Sequence, residues 1–487
     1  MINIVKKIGL ILILQISMKF LNIKFNVKNN IILYTTIFSV LVWYIIFGFN
    51  LINEPYVWDD LHFFRKYSNE ELRNIWIGNW DSAGIETPSY RPFAVLYYHL
   101  LYLIFEENTL LLRNFVIFEA LILILVSNKL LDYLNFNKAT IFFFTLLIIF
   151  SKIYFTLISW FTISVLIFAY IISISSILFF LISIKNKNNL FYYLSIIFMA
   201  VGVLTREELY VMPVILFFIY FYKYEINTKN FLFCSLKIFP FLIFILLHMY
   251  LRKEFIPEAD HLQITGFTIK FGENFLNFGG LIKAFKSSFL PMGYLSSQYS
   301  SLEQSIFSWV WIVVMLLSTI ILLKKKNIIF NLKKIFILIL LVLICCLPHL
   351  TVARSFGIYL SSFFALALIA KLIDALFSSI NDQRNRKDYL SFFFISLLLI
   401  SGIFGGIYRS TEHAKSMSHY SLSIIRFDAL FIYGYKNGNI KVAIPIKRYL
   451  QKKKHLKELK IYDFNWGDDL NIESEKLVKT NYDPLTF

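Results

Sequence analysis

Apolar residues gather along the chain into long unbroken runs set apart by short charged stretches. The runs show neither the period of 2 of a half-buried strand nor the single stripe of a soluble helix. They cover 31–52, 110–128, 139–158, 161–184, 190–205, 209–222, 231–251, 306–323, 335–350, 356–374 and 389–408, and most approach the roughly 20 residues that cross a hydrocarbon core. The pattern predicts an all-α polytopic membrane protein with about 11–12 transmembrane helices. One further run, 93–105, is shorter than a normal span.

The charges between the runs orient them. Lys324, Lys325, Lys326, Lys333 and Lys334 form one basic loop and Arg384, Arg386 and Lys387 another, and both are expected in the cytoplasm. Working backwards places 252–305 outside, Lys223 to Lys229 inside, Arg206-Glu207-Glu208 outside, Lys185 and Lys187 inside, Trp160 outside and Lys129 to Lys138 inside. With an internal N-terminus, loop 53–92 also faces out. These assignments agree when one segment between 93 and 158 fails to cross. The short run 93–105 is the candidate, lying along the surface or re-entering, and the alternative is a later short pair.

Three regions follow. Residues 1–30 are a cytoplasmic or interfacial N-terminus, because Lys6 and Lys7 precede an apolar stretch without a small-residue cleavage site. Residues 31–408 form the transmembrane domain, with large outer loops at 53–92 and 252–305. Residues 409–487 change composition. There 441–446 reads as a strand, 447–459 as a basic helix and 460–464 as a second strand, a small extracytoplasmic α/β appendage.

Composition narrows the class. The chain has 487 residues, 58% of them hydrophobic and 16% charged, with a mean hydropathy of +0.64, which excludes a β-barrel and a secreted soluble protein. The net charge of +17 resides in lysine clusters between apolar runs, so it orients helices and does not mark a nucleic-acid surface. Cys234, Cys345 and Cys346 lie in or beside apolar segments, and neither they nor His62, His413 and His419 have metal-ligand spacing. No internal repeat of transporter type is visible. Heavy use of Lys, Ile, Asn and Phe is that of an AT-rich genome and points to a bacterial cell membrane.

Chemistry-bearing residues fall on the outer loops. Asp59 and Asp60, in Trp58-Asp59-Asp60-Leu61-His62, follow the first span closely. They read either as caps of a surface helix or as a general base for an acceptor hydroxyl attacking a sugar carbon, the second carboxylate raising its partner's pKa or helping to hold a divalent cation. No other metal or cofactor is indicated. Tyr90-Arg91-Pro92 ends the same loop. Its arginine either snorkels to the interface or forks a phosphate, and its proline starts a helix. Thr205-Arg206-Glu207-Glu208 interrupts apolar sequence from 190 to 222. Charges there are costly, so a helix break is expected, with Arg206 paired to Glu207 or Glu208 in a plain tight loop or facing a cavity. Pro348-His349 and Arg354 lie on the same face, Arg354 as a second phosphate contact and His349 as structural.

The order of these motifs resembles the GT-C superfamily of membrane glycosyltransferases, which use lipid-phosphate sugars. The acidic pair Asp59-Asp60 stands in the first outer loop. Tyr90-Arg91-Pro92-Phe93 is similar to the YRPL motif of the TPR-containing O-mannosyltransferases. Leu112 to Glu119 occupies the place of their H-x-x-N-x-x-x-H helix, with Arg113 and Glu119 as departures. Leu204-Thr205-Arg206-Glu207 resembles their L-S-K-E step, and Arg354 to Leu360 their R-x-x-Y-L segment. The similarity runs from 31 to 374, while the family's H-P-x-x-x-E is absent, Lys152 lying in that region, and so are the TPR repeats.

The resemblance implies an inverting transfer from a polyprenyl-phosphate sugar to a hydroxyl of a glycan, lipid or protein at the extracytoplasmic face. Asp59 or Asp60 would be the base, Arg91, Arg206 and Arg354 the phosphate contacts, and Tyr90, Glu207 and Glu208 their support. Loop 252–305, with Tyr294 and Tyr299, would receive the acceptor. Two other readings remain: an O-antigen-type polymerase or ligase relying on loop arginines, and a lipid-linked sugar flippase.

Overall fold

The computed structural model describes residues 31–48, 51, 63–64, 66–78, 90–106, 108–256, 278–290, 311–313, 332–350, 358–381 and 396–411. The chain divides into two compact units, residues 1–53 with 66–413 and residues 54–65 with 414–487. All described residues except Phe63 and Phe64 belong to the first. The expected α/β appendage, Asp59, Asp60, Arg354 and most of loop 252–305 lie outside the described residues.

Among the described residues the structure is helical and contains no strand. In chain order the helices are α1 (Ile31–Trp43), α2 (Asn69–Asn74), α3 (Pro92–Phe105), α4 (Thr109–Tyr133), α5 (Lys138–Ile149), α6 (Lys152–Ser159) and α7 (Phe161–Asn186). Next come α8 (Asn189–Thr205), α9 (Met212–Lys223), α10 (Thr228–Phe255), α11 (Phe278–Phe289), α12 (Leu332–Cys346) and α13 (Tyr359–Asn381), then α14 over 396–411. Among the described residues three segments are long and apolar enough to cross a membrane: Leu110–Tyr133, Phe161–Asn186 and Thr228–Phe255.

Polar side chains start these helices. Asn108, Asn137, Asn188 and Asn227 each accept a backbone N–H from the first turn they precede, relieving donors that have no carbonyl partner within the helix. Ser68 and Glu71 form a reciprocal capping box on α2.

Helix α7 is the axis of the bundle. It is apolar on all sides and 83% buried over its membrane window, whereas α10 is 28% buried and forms an edge. Small residues let α8 approach α7 closely. Ser176 donates to the Ser195 carbonyl at 2.8 Å while Ser195 donates to the Ser176 carbonyl at 2.7 Å, and a Cβ on Gly202 would meet Ser173 Oγ at 3.3 Å. Such contacts favour helix association where lipid removes the hydrophobic drive. A second polar link joins three helices: Asn128 of α4 donates to Thr36 of α1, and Thr145 of α5 donates to Asn128, each at 3.0 Å.

The run expected as one span over 139–158 is broken, with α5 and α6 meeting at 52°. Ser151 causes the break, since its hydroxyl donates to the Ile148 carbonyl at 2.7 Å and accepts the Tyr154 N–H at 3.3 Å, competing with the helical ladder. Gly406 of α14 rests on the same point, and a Cβ there would stand 2.0 Å from the Phe150 carbonyl oxygen.

The short run 93–105 becomes α3, with Pro92 in its first turn. Tyr90, just before it, touches the segment after α8, and Phe105 at its far end packs on Phe115 near the start of α4, ring centroids 5.1 Å apart. Helix α4 then runs to the opposite end, where Lys223 donates to the Tyr133 carbonyl at 2.7 Å. These contacts place both ends of α3 toward the end of the bundle where α4 starts.

Gly406→Ala should destabilise the protein by about 1–3 kcal/mol through forced overpacking, whereas Phe404→Ala, at an exposed position, should change stability by less than about 0.5 kcal/mol. Thermal unfolding in detergent measures both.

Candidate functional site

Charged sequence forces the backbone out of helical form at the end of α8. After Thr205 the chain turns extended at Arg206, follows a 3-10 helix over Glu207–Val211 and re-enters an α-helix with Pro213 in the first turn. The break buries what it carries: Arg206 is 8% and Glu207 5% exposed. Desolvating a carboxylate to that degree requires several compensating partners.

Glu207 has three. Its Oε1 accepts the Tyr90 backbone N–H at 2.9 Å and lies 3.3 Å from Arg252 Nε, and its Oε2 lies 3.6 Å from Arg91 Nη2. One carboxylate thus joins the entrance to α3, the break after α8 and the end of α10. Arg206 turns to Glu208 instead, Nη2 to Oε1 at 2.9 Å. Burial opposes the Arg206 charge more than any single neighbour favours it, but Glu208, Tyr170, Tyr98 and Glu207 together hold the guanidinium above its ordinary pKa.

Aromatic residues fix the frame. The Tyr90 hydroxyl donates to the Trp76 carbonyl at 2.8 Å, just past α2, and its ring lies 5.4 Å from His248 and 6.0 Å from Phe255. Tyr210 Oη and His248 Nδ1 are 2.6 Å apart. Burial, and then the Glu207 charge, hold the Tyr210 phenol well above its ordinary pKa, and the His248 tautomer sets which of the two donates.

The cluster is rich in guanidinium groups. Among the described residues it holds Arg91, Arg206 and Arg252 with Glu207 and Glu208. Arg206 Nε and the Tyr170 hydroxyl are buried without a hydrogen-bond partner among the described residues. Tyr170 is close enough to Arg206 to interact with it electrostatically. Unused donors on Arg206 and Tyr170 beside further guanidinium groups suit an anion with several acceptor oxygens, such as a phosphate.

Of the residues expected from sequence, Tyr90, Arg91, Arg206, Glu207 and Glu208 come together, and Arg206 makes the ion pair with Glu208 that the tight-loop reading anticipates. Asp59, Asp60 and Arg354 lie outside the described residues. Sequence reasoning missed Arg252, His248 and Tyr210. The four-residue spacing of His248 and Arg252 places them on one helix face, but Arg252 reads as a loop charge beside Lys253 and Glu254. Among the described residues no group of three His, Cys, Asp or Glu side chains is placed to hold a metal.

A second buried polar set lies deeper. Arg113 Nη1 donates to the Ser159 carbonyl at 2.9 Å, Tyr97 donates to Glu119 at 2.6 Å and Tyr98 to the Thr162 carbonyl at 2.5 Å. Arg113 and Glu119, which depart from the O-mannosyltransferase motif, thus tie α4 to α6 and α3.

No family model matches the sequence, and no curated protein does. Among solved structures, the chain is similar to the oligosaccharyltransferase of Archaeoglobus fulgidus, crystallised tethered to an acceptor peptide containing the NVT sequon. The TM-score is 0.52 at 14% sequence identity, over 84% of this chain and 57% of that one. The likeness is one of fold. The chain spans little more than half the length of the oligosaccharyltransferase, and the common ground is the helical membrane architecture.

Glu207→Gln, which removes the charge shared by Arg91 and Arg252, should cost about 3 kcal/mol or more of stability, read as a lower melting temperature in detergent. Tyr210→Phe should cost about 1 kcal/mol through the lost bond to His248.

Proposed function

We propose that the chain is an inverting glycosyltransferase that moves a sugar from a polyprenyl-phosphate donor to a hydroxyl acceptor at the extracytoplasmic face of the cell membrane. The observation that carries this reading is the buried arginine cluster at one end of a GT-C-like bundle, with the unused Nε of Arg206 among the described residues. The oligosaccharyltransferase of similar fold is an enzyme of glycosyl transfer with a peptide acceptor in place, which supports the class of reaction.

In the proposed reaction, Arg91, Arg206 and Arg252, joined by Arg354, hold the donor phosphate. Tyr90 and Glu207 fix the direction of Arg91 and Arg252, and Glu208 fixes Arg206. Asp59 or Asp60 takes the proton of the acceptor hydroxyl as its oxygen bonds to the anomeric carbon. The bond from that carbon to the phosphate oxygen breaks, and its electron pair becomes charge on the lipid phosphate. Guanidiniums fixed in a desolvated site stabilise that developing charge without reorganising. Asp59 and Asp60 are also where a divalent cation would bind. The acceptor is a glycan, a lipid or a protein.

The test is transfer from a panel of radiolabelled polyprenyl-phosphate sugars to endogenous acceptors in membranes holding equal amounts of each variant. Arg206→Gln should lower transfer about 100-fold, and either Asp59→Asn or Asp60→Asn should abolish it. Transfer indifferent to all three substitutions would overturn the reading in favour of an O-antigen-type polymerase or ligase. Movement of the lipid-linked sugar without a covalent product would favour a flippase.

A further inference from the structure

The end of the bundle opposite the arginines is built from lysines and aromatic rings. Five lysines reach it from four helices: Lys185 on α7, Lys223 on α9, Lys333 and Lys334 on α12 and Lys371 on α13. Lys223 Nζ lies 3.7 Å and Lys185 Nζ 5.5 Å from the centre of one ring, Tyr133. Lys334 Nζ and Lys371 Nζ lie 5.5 and 5.7 Å from the centre of another, Tyr222. Phe136 stacks on Tyr222 at 5.9 Å and bridges toward Tyr133. Lys333 donates to the Tyr224 carbonyl at 2.9 Å, and Lys371 to the Tyr222 hydroxyl at 3.3 Å.

Each ring is thus shared by two ammonium groups, which attracts both and crowds like charges. Asp374 offsets part of this at Lys371. Asp374 accepts from Asn137, Asp132 lies 3.7 Å from Lys129, and Glu225 is exposed. Among the described residues, no carboxylate oxygen comes within 4.0 Å of any of the five lysines. Burial, and then the neighbouring Lys185, hold Lys223 below its ordinary pKa. An anion between the two ring-centred pairs would relieve that repulsion.

Position and surroundings select the anion. The positive-inside rule assigns this end to the inner leaflet, where anionic headgroups concentrate. Exposed Phe336, Leu343 and Leu347 continue along α12 from Lys333 and Lys334, a strip on which an acyl chain can lie. We propose that the lysine cluster binds the headgroup phosphate of an anionic phospholipid of the inner leaflet. This site is separate from the arginine cluster and does not depend on the glycosyltransferase reading.

The test titrates phosphatidylglycerol, phosphatidylcholine and inorganic phosphate into the purified full chain in mild detergent, reading melting temperature and bound lipid by native mass spectrometry. Phosphatidylglycerol should stabilise the wild type where phosphatidylcholine and inorganic phosphate do not, and Lys334→Gln with Lys371→Gln should weaken its binding about 30-fold. Should the double variant fail to fold, Lys185→Gln, on an exposed side chain, should weaken binding about fivefold. Equal stabilisation by phosphatidylcholine, or affinity unchanged in the variants, would overturn the proposal. Inorganic phosphate matching the lipid would overturn the lipid assignment and leave a soluble phosphate site.

Discussion

The geometry of the arginine end depends on one desolvated carboxylate. Glu207 is buried and charged, a combination that persists only when every oxygen is engaged. Its partners come from positions 91 and 252 and from the Tyr90 backbone, 117 residues earlier in the chain. That single requirement fixes where α3 begins, where α8 must break and how α10 approaches its neighbours. It also holds two guanidiniums in place, Arg91 and Arg252.

The two ends of the bundle use different cations for different purposes. At one end planar arginines sit in a buried network with carboxylates, where a fork of fixed donors loses little entropy on binding oxygen ligands. At the other, flexible lysines lie over aromatic faces at the helix ends, where a compact ammonium can remain partly hydrated. Among the described residues these two sets of cations stand at opposite ends of apolar helices.

Much of this was legible in the sequence, for identifiable reasons. Long apolar runs fixed the helices, because backbone groups in lipid have no alternative to internal hydrogen bonds. Arg206-Glu207-Glu208 announced a break, since no continuous apolar helix carries three charges at its centre without cost. The bend after Phe150 was not legible, because Ser151 inside an apolar run looks like any tolerated small residue until its hydroxyl is seen to hold two backbone groups. Arg252 was hidden for the opposite reason: it stands among other charges, and only the fold shows that it turns inward. For Asp59, Asp60 and Arg354 the motif order remains the whole argument, as they lie outside the described residues.

The contact of Gly406 with the Phe150 carbonyl also has a temporal side. The two positions are 256 residues apart, and at 5–20 residues per second the ribosome needs roughly 13–50 s to travel from one to the other. For that interval the kink between α5 and α6 lacks the helix that will cover it, so the first half of the bundle waits in the membrane for its last piece. Final closure of the fold is thus a late event in biosynthesis, gated by the arrival of a glycine.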